Sequence, residues 1–177
     1  MTIRTALSRV AALAAVAVVL AGTAVSQAQS VRTGASGLPV PRFVSLKSDA
    51  VNVRRGPSRE QDVVWRYVRS GLPVEITQEF ENWRRIRDFE GGEGWVFHSL
   101  LSGTRTALVA PWDKSKTPIP IHATADETAA KTAELEPGVQ AVVKECDGKW
   151  CRLAGKGFAG WIPQPQLWGV YPDETFD

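Results

Sequence analysis

Asn82-Trp83-Arg84-Arg85-Ile86, followed by Gly94-Trp95-Val96 and Leu100-Leu101, decides the fold, because the chain repeats this frame further on. An offset of 67 lays Gly71 on Gly138, Trp83 on Trp150, Ile86 on Leu153 and Leu100 on Leu167. An offset of 66 lays Gly94-Trp95-Val96 on Gly160-Trp161-Ile162. Five features in the same order, with a one-residue slip in a turn, mean an internal duplication. Each copy spans roughly 60 residues, room for one small core of its own. The boundary between copies falls between Ser102 and Pro118.

Outward from the repeat, no stretch keeps an amphipathic helical period for three turns. Short runs of Val, Ile, Trp and Phe alternate with polar residues between Gly, Pro, Asn and Asp clusters. The spacing predicts strands at 63–68, 72–77, 83–89 and 94–97, with Glu90-Gly91-Gly92-Glu93-Gly94 as a turn that offers nothing to pack and several positions free to take φ > 0. The fold class is all-β, two tandem small β-barrels.

The first 28 residues read differently from the rest. Arg4 and Arg9 precede an apolar run from Val10 to Leu20, and Ser26-Gln27-Ala28 puts small residues where signal peptidase cuts. The expectation is a cleaved export signal, 1–28, and a periplasmic or secreted protein with no stable membrane span after cleavage. The strongly apolar run is short of the ~20 residues a spanning helix needs. Gln29 to Pro41 is rich in Gly, Ser and Pro and reads as a flexible lead. The first barrel is expected at 42–102, the second at 104–171, and a tail at 172–177.

Charge narrows the partners. The chain holds 21 Lys and Arg against 19 Asp and Glu, and the excess is Arg4 and Arg9. A balanced mature chain has no general electrostatic hold on nucleic acid or anionic lipid.

Val51-Asn52-Val53-Arg54-Arg55-Gly56-Pro57-Ser58, then Gly71, Asn82 to Ile86, Gly94-Trp95-Val96 and Leu100-Leu101, together resemble the bacterial SH3-like (SH3b) domain. The second copy resembles it more weakly. Ile119-Pro120-Ile121-His122-Ala123-Thr124-Ala125-Asp126 stands in place of the opening motif, while Gly138, Trp150 and Gly160-Trp161-Ile162 remain. The resemblance implies a five-stranded, partly open barrel per copy. It also implies an exported protein that binds a cell-wall or protein ligand without chemistry of its own. In that family the loop stiffened by Pro57 borders the ligand groove.

Cys146 and Cys151 enclose Asp147-Gly148-Lys149-Trp150, a hairpin turn signal, so the sulfurs sit on facing strands at a separation that suits a disulfide. The spacing is not that of a redox-active pair, and no His and Asn partner set accompanies it. Glu79 and Arg84 hold the matching positions of the first copy and suggest a cross-strand ion pair there. Glu79 and Glu81, on or beside a turn, otherwise read as solvated charge.

His98 and His122 are the only imidazoles and have no ligand spacing, so they read as partly exposed polar residues and no metal or cofactor is expected. No nucleophile elbow, metalloprotease helix, P-loop or dinucleotide glycine pattern occurs. An envelope hydrolase domain does not fit beside two barrels. The protein is expected not to be an enzyme.

The tryptophans are the stronger lead. Strand alternation puts Arg84 and Ile86 on one face and Trp83 and Arg85 on the other; in the second copy it separates Cys151 and Leu153 from Trp150 and Arg152. Trp83, Arg85, Trp150 and Arg152 are the candidate ligand-binding residues, an exposed indole beside a guanidinium in each copy. Trp95 and Trp161 are expected to close the cores. Trp168 to Pro172 is expected to fold back between the copies and make the tandem rigid. The expected function is recognition of a peptide-containing envelope ligand, either a peptidoglycan stem peptide or an envelope protein. The alternative is a structural or accessory subunit of an envelope complex that takes no small ligand.

Overall fold

The computed structural model describes residues 32–177; the segment expected to be an export signal, 1–28, lies outside them. A small hairpin, β1 (Arg32–Thr33) with β2 (Pro39–Val40), comes first. The first barrel follows as β3 (Arg42–Leu46), β4 (Val51–Arg54), β5 (Val63–Tyr67), β6 (Pro73–Phe80), β7 (Trp83–Arg87), β8 (Glu93–Phe97) and β9 (Leu101–Ser102). The second is β10 (Thr106–Val109), β11 (Ile119–His122), β12 (Lys131–Leu135), β13 (Gln140–Asp147), β14 (Trp150–Gly155), β15 (Phe158–Pro163) and β16 (Leu167–Trp168). A last strand, β17 (Thr175–Phe176), adds onto β13. Among the described residues the only helices are two single 3-10 turns, His98–Leu100 and Gln164–Gln166.

The strand orders, β5-β4-β8-β7-β6-β3-β9 and β12-β11-β15-β14-β13-β10-β16, match strand for strand, which is the duplication in three dimensions. Irregularities repeat as well. The β6–β7 ladder shifts register between Ile76 and Gln78, and the β13–β14 ladder between Val143 and Glu145. Such a bulge bends the strand and lets one long strand serve both sides of a small barrel. This is why β6 runs on to Phe80, past the end expected at Thr77. β7 stops early, at Arg87, because the Asp88 carboxylate accepts the Gly92 and Glu90 amides at 2.8 and 3.1 Å and turns the chain.

Each barrel buries its own apolar set. Val44, Leu46, Val51, Val53, Val74, Ile76, Ile86 and Val96 fill the first, with Trp65 and Tyr67 packed against them. Val109, Ile119, Ile121, Val143, Leu153 and Ile162 are central to the second. Burying a side chain of this kind stabilises by roughly 1.5 to 3 kcal/mol, so eight or more per barrel suffice for a small domain. Trp95 and Trp161 are half-buried and belong to neither core, contrary to expectation. Trp65 supplies the aromatic packing in the first barrel instead.

The segment expected to be a flexible lead is structured from Arg32 on. Ser36 donates its amide (2.7 Å) and hydroxyl (2.8 Å) to the Glu79 carboxylate, which pins the hairpin to β6. The segment expected to be a tail, 172–177, carries β17. Arg105 donates to both Glu174 oxygens at 2.8 and 2.9 Å and lies over the Phe176 ring, so β17 is held against β13.

The two barrels and their flanking segments form one compact unit, Val31–Asp177. Trp168 meets the Phe43 ring edge-on at 5.2 Å, and Tyr171 lies 4.8 Å from the same ring. The Tyr171 hydroxyl donates to Glu75, a buried carboxylate that also accepts from Arg87 Nε at 2.9 Å. Burial and the Glu75 charge together push the Tyr171 hydroxyl above its ordinary range. Thr106 Oγ1 donates to Gly71 O at 2.8 Å, and Gln140 Nε2 to Ser70 O at 3.2 Å. Gly169 sits at the centre of this contact with φ +122, and a Cβ there would meet Thr106 O at 2.3 Å. The fold-back of the chain end between the copies is thus present.

Candidate functional site

Trp83 and Trp150 each occupy the first position after a two-residue turn, Glu81-Asn82 in one copy and Gly148-Lys149 in the other. The second turn is the better built. Gly148 takes φ +96, and Asp147 accepts the Lys149 and Trp150 amides at 2.8 and 2.7 Å. In the first copy Glu81 itself takes φ +46, a conformation non-glycine residues rarely adopt.

Trp83 is not an exposed plane. It is 8% exposed, with Phe97, its cross-strand partner, packed edge-on at 5.4 Å. Alternation places it on the outer face of β7, as expected, but the β4–β5 loop and the turn after β8 fold over that face. The loop is closed by Arg55 N to Asp62 O at 3.0 Å and carries Arg59, whose guanidinium stands 5.6 Å from the Phe97 ring centre. What results is a cleft of about 420 Å³ lined by Asn52, Arg54, Arg59, Trp83, Phe97 and Leu100. Arg54 donates to Gln61 O at 2.6 Å, which fixes its guanidinium at the rim. Neither Arg54 nor Arg59 belongs to an ion pair among the described residues.

Arg85 does not join this cleft. It lies exposed beside Trp95 on the neighbouring strand and pairs with Glu93 at 2.6 Å. Arg152 repeats the arrangement, beside Trp161 and 3.3 Å from Glu145. The expected Trp83 and Arg85 couple is therefore replaced by Trp83 with Arg54 and Arg59. Alternation within β7 could not reveal this, because Arg59 comes from a loop more than twenty positions earlier. The available signal was Arg54-Arg55-Gly56-Pro57 at the start of that loop.

Trp150 is half-buried and meets the His122 ring edge-on at 5.8 Å, with Pro163 as its cross-strand partner. His122 is buried, not partly exposed as expected, and its Nδ1 lies 3.0 Å from Ala129 O in the matching loop. His98 is exposed.

Below the two tryptophans lies the pair of positions that the repeat equates. Cys146 and Cys151 form a disulfide and stand directly opposite each other across the ladder. Glu79 and Arg84 stand opposite in the same way, with Arg84 Nε 3.2 Å from Glu79 Oε1. Glu79 is not a solvated charge. Its side chain is 1% exposed and also accepts from Arg42 at 2.7 Å. Burial pushes the Glu79 carboxyl up, but the hydrogen bonds from Ser36 and Arg42 push it down further, and it lies below the ordinary carboxylate value.

The family model of the bacterial SH3 domain matches this chain twice, at residues 47–103 and 115–169. No curated protein matches it. Among solved structures, NlpC2 from Trichomonas vaginalis is 15% identical, with 72% of this chain and 48% of that chain covered and a TM-score of 0.31. An NlpC/P60 family protein from Bacillus cereus is 11% identical, with 71% of this chain and 55% of that chain covered and a TM-score of 0.31. The chain spans about half the length of these structures.

Proposed function

The chain belongs to the bacterial SH3 domain family, and from that premise we propose that it is an exported, non-catalytic tandem binder of a peptide-containing ligand in the cell envelope, with the first barrel as the reading head. The cleft over Trp83 carries this reading. It offers an apolar floor, Trp83 and Phe97, and two guanidiniums at its rim, Arg54 and Arg59, outside any ion pair among the described residues. Aromatic floors favour flat or apolar groups, and guanidiniums favour carboxylates in two-point contact. A short peptide ending in, or bearing, a carboxylate meets both demands. Peptidoglycan stem peptides are the ligand class with this chemistry in the compartment to which the signal-like segment 1–28 points, and an envelope protein with an acidic peptide motif is the other member of the class.

The alternative is a structural or accessory subunit whose aromatic faces are consumed by the contact between copies and by a partner protein. The contact between copies is made by Phe43, Trp168 and Tyr171, which leaves the cleft over Trp83 to a ligand or a partner. Co-sedimentation with purified peptidoglycan tests the proposal. Wild type is expected in the pellet, and Arg54→Ala with Arg59→Ala is expected to lose most of that binding while unfolding at the same temperature. Equal pelleting of wild type and the double variant would refute the cleft as the reading head.

A further inference from the structure

The two barrels end in edge strands of opposite character. β5 closes one end of its sheet and pairs only with β4; β12 closes the same end of the other sheet and pairs only with β11. An edge strand presents a row of unpaired N–H and C=O groups, and folded proteins blunt such edges with charge, proline or a cover. β12 obeys this rule. Lys131, Thr132 and Glu134 are exposed on it, and the Lys131 ammonium is 3.2 Å from the Glu134 carboxylate. β5 does not. Val63 and Val64 are 45% and 41% exposed, and Val68, one step past its end, is 77% exposed.

Cations stand among these valines. Arg66 and Arg69 flank Val68, and Arg55 lies in the loop that precedes the strand; all three are exposed. Among the described residues none of the three is in an ion pair, whereas Arg42, Arg84, Arg85 and Arg87 of the same barrel each hold a carboxylate. The local anions are Asp62 and Glu60, the latter held by the Ser58 hydroxyl.

We propose that β5 is a docking edge that takes an extended acidic segment of a partner protein as an added strand. The open backbone ladder supplies the main-chain hydrogen bonds, Val64 and Val68 meet apolar side chains, and Arg66, between them on the same exposed face, selects an acidic one, with Arg69 just past the strand adding to the attraction. A second copy of this chain, paired antiparallel about Tyr67 and Val68, sets Arg66 of each copy against Arg69 of the other, a like-charge contact that an acidic segment of a partner protein avoids. The docking edge is independent of the cleft and leaves Arg54 and Arg59 aside.

Amide exchange on the ¹⁵N-labelled protein tests this, with two probe peptides built on threonine that place valine, then glutamate or lysine, then valine at every second position, so that all three share one face. The glutamate peptide is expected to slow exchange at Val63–Tyr67 and to bind at least about fivefold more tightly than the lysine peptide. Arg66→Glu with Arg69→Glu is expected to reverse the preference, and Val64→Lys with Val68→Lys to remove binding of both peptides, each variant unfolding at the wild-type temperature. The proposal is overturned if neither peptide protects β5, if charge reversal leaves the preference unchanged, or if β5 is protected in the protein alone in proportion to its concentration, the mark of a second copy on the edge.

Discussion

Around Trp83 the first barrel sets Arg54, Arg59 and Phe97; around Trp150 the second sets His122 and Pro163. The frames are the same. His122 pairs with Trp161 as Arg54 pairs with Trp95, and the loops that follow are closed alike, by Arg55 N to Asp62 O and by Ala123 N to Ala130 O, each at 3.0 or 2.9 Å. At the matching loop position a cation, Arg59, has become an anion, Glu127. Duplication thus kept the barrel and reversed the charge at this loop position, and the carboxylate binding proposed for the first copy rests on the cation.

A second contrast lies beneath the grooves. The first copy joins β6 to β7 through Glu79, which gathers Arg84, Arg42 and the Ser36 amide; the second joins β13 to β14 covalently. With a sulfur where Glu79 would be, Arg105, just before β10, lacks that carboxylate and takes Glu174 from the chain end instead. Each barrel therefore clasps one flanking segment through the arginine that opens it, the hairpin 32–40 in one case and β17 in the other.

Breaking the polar clasp should have the largest effect. Glu79→Ala leaves two guanidiniums with little solvent and only backbone carbonyls as partners, with no counter-charge, and it is expected to cost about 3 kcal/mol or more in thermal or denaturant unfolding. The clasp is also pH-dependent. The Glu79 carboxyl titrates below its ordinary value of 4.5, so its contribution is present at neutral pH and lost as pH falls through the folded value. Acid unfolding of Glu79→Gln should be correspondingly flatter than that of wild type.

Next in size is the tryptophan pair. Trp83→Ala removes a covered side chain and is expected to destabilise by roughly 3 kcal/mol, with Trp150→Ala, half-buried, costing clearly less. Equal costs would contradict the asymmetry of the two grooves. Reducing the disulfide, which closes a loop of sequence separation 5, is expected to cost about 2 kcal/mol. Tryptophan and methyl spectra should report the loss in the second barrel while the first keeps its native signals. Smallest are Arg85→Ala and Arg152→Ala, which remove surface ion pairs and should shift stability by less than about 0.5 kcal/mol. A loss of ligand capture from either would return the binding site to the residues that strand alternation singles out.

How much the sequence reveals follows from the range of each contact. The opposition of Cys146 to Cys151 and of Glu79 to Arg84 depends only on counting outward from a hairpin turn, and both were legible. The duplication and the all-β class follow from local patterning and were legible too. The burial of Trp83 was not, since a lone strand has an outer face but gives no sign of what folds over it. The same holds for Glu79, whose burial depends on Ser36 and Arg42 some forty positions away. The order of the lead segment escaped composition for the same reason, because a Gly- and Ser-rich stretch looks loose until a buried carboxylate, here Glu79, is found holding it.

Binding by the first barrel is tested most directly by indole and arginine side-chain NMR during titration with a soluble peptidoglycan stem peptide. The expected result is saturable shifts of the Trp83 indole and of the Arg54 and Arg59 guanidiniums, with the Trp150 indole unmoved. Shifts centred on Trp150 and His122, with Trp83 and Arg59 silent, would contradict it.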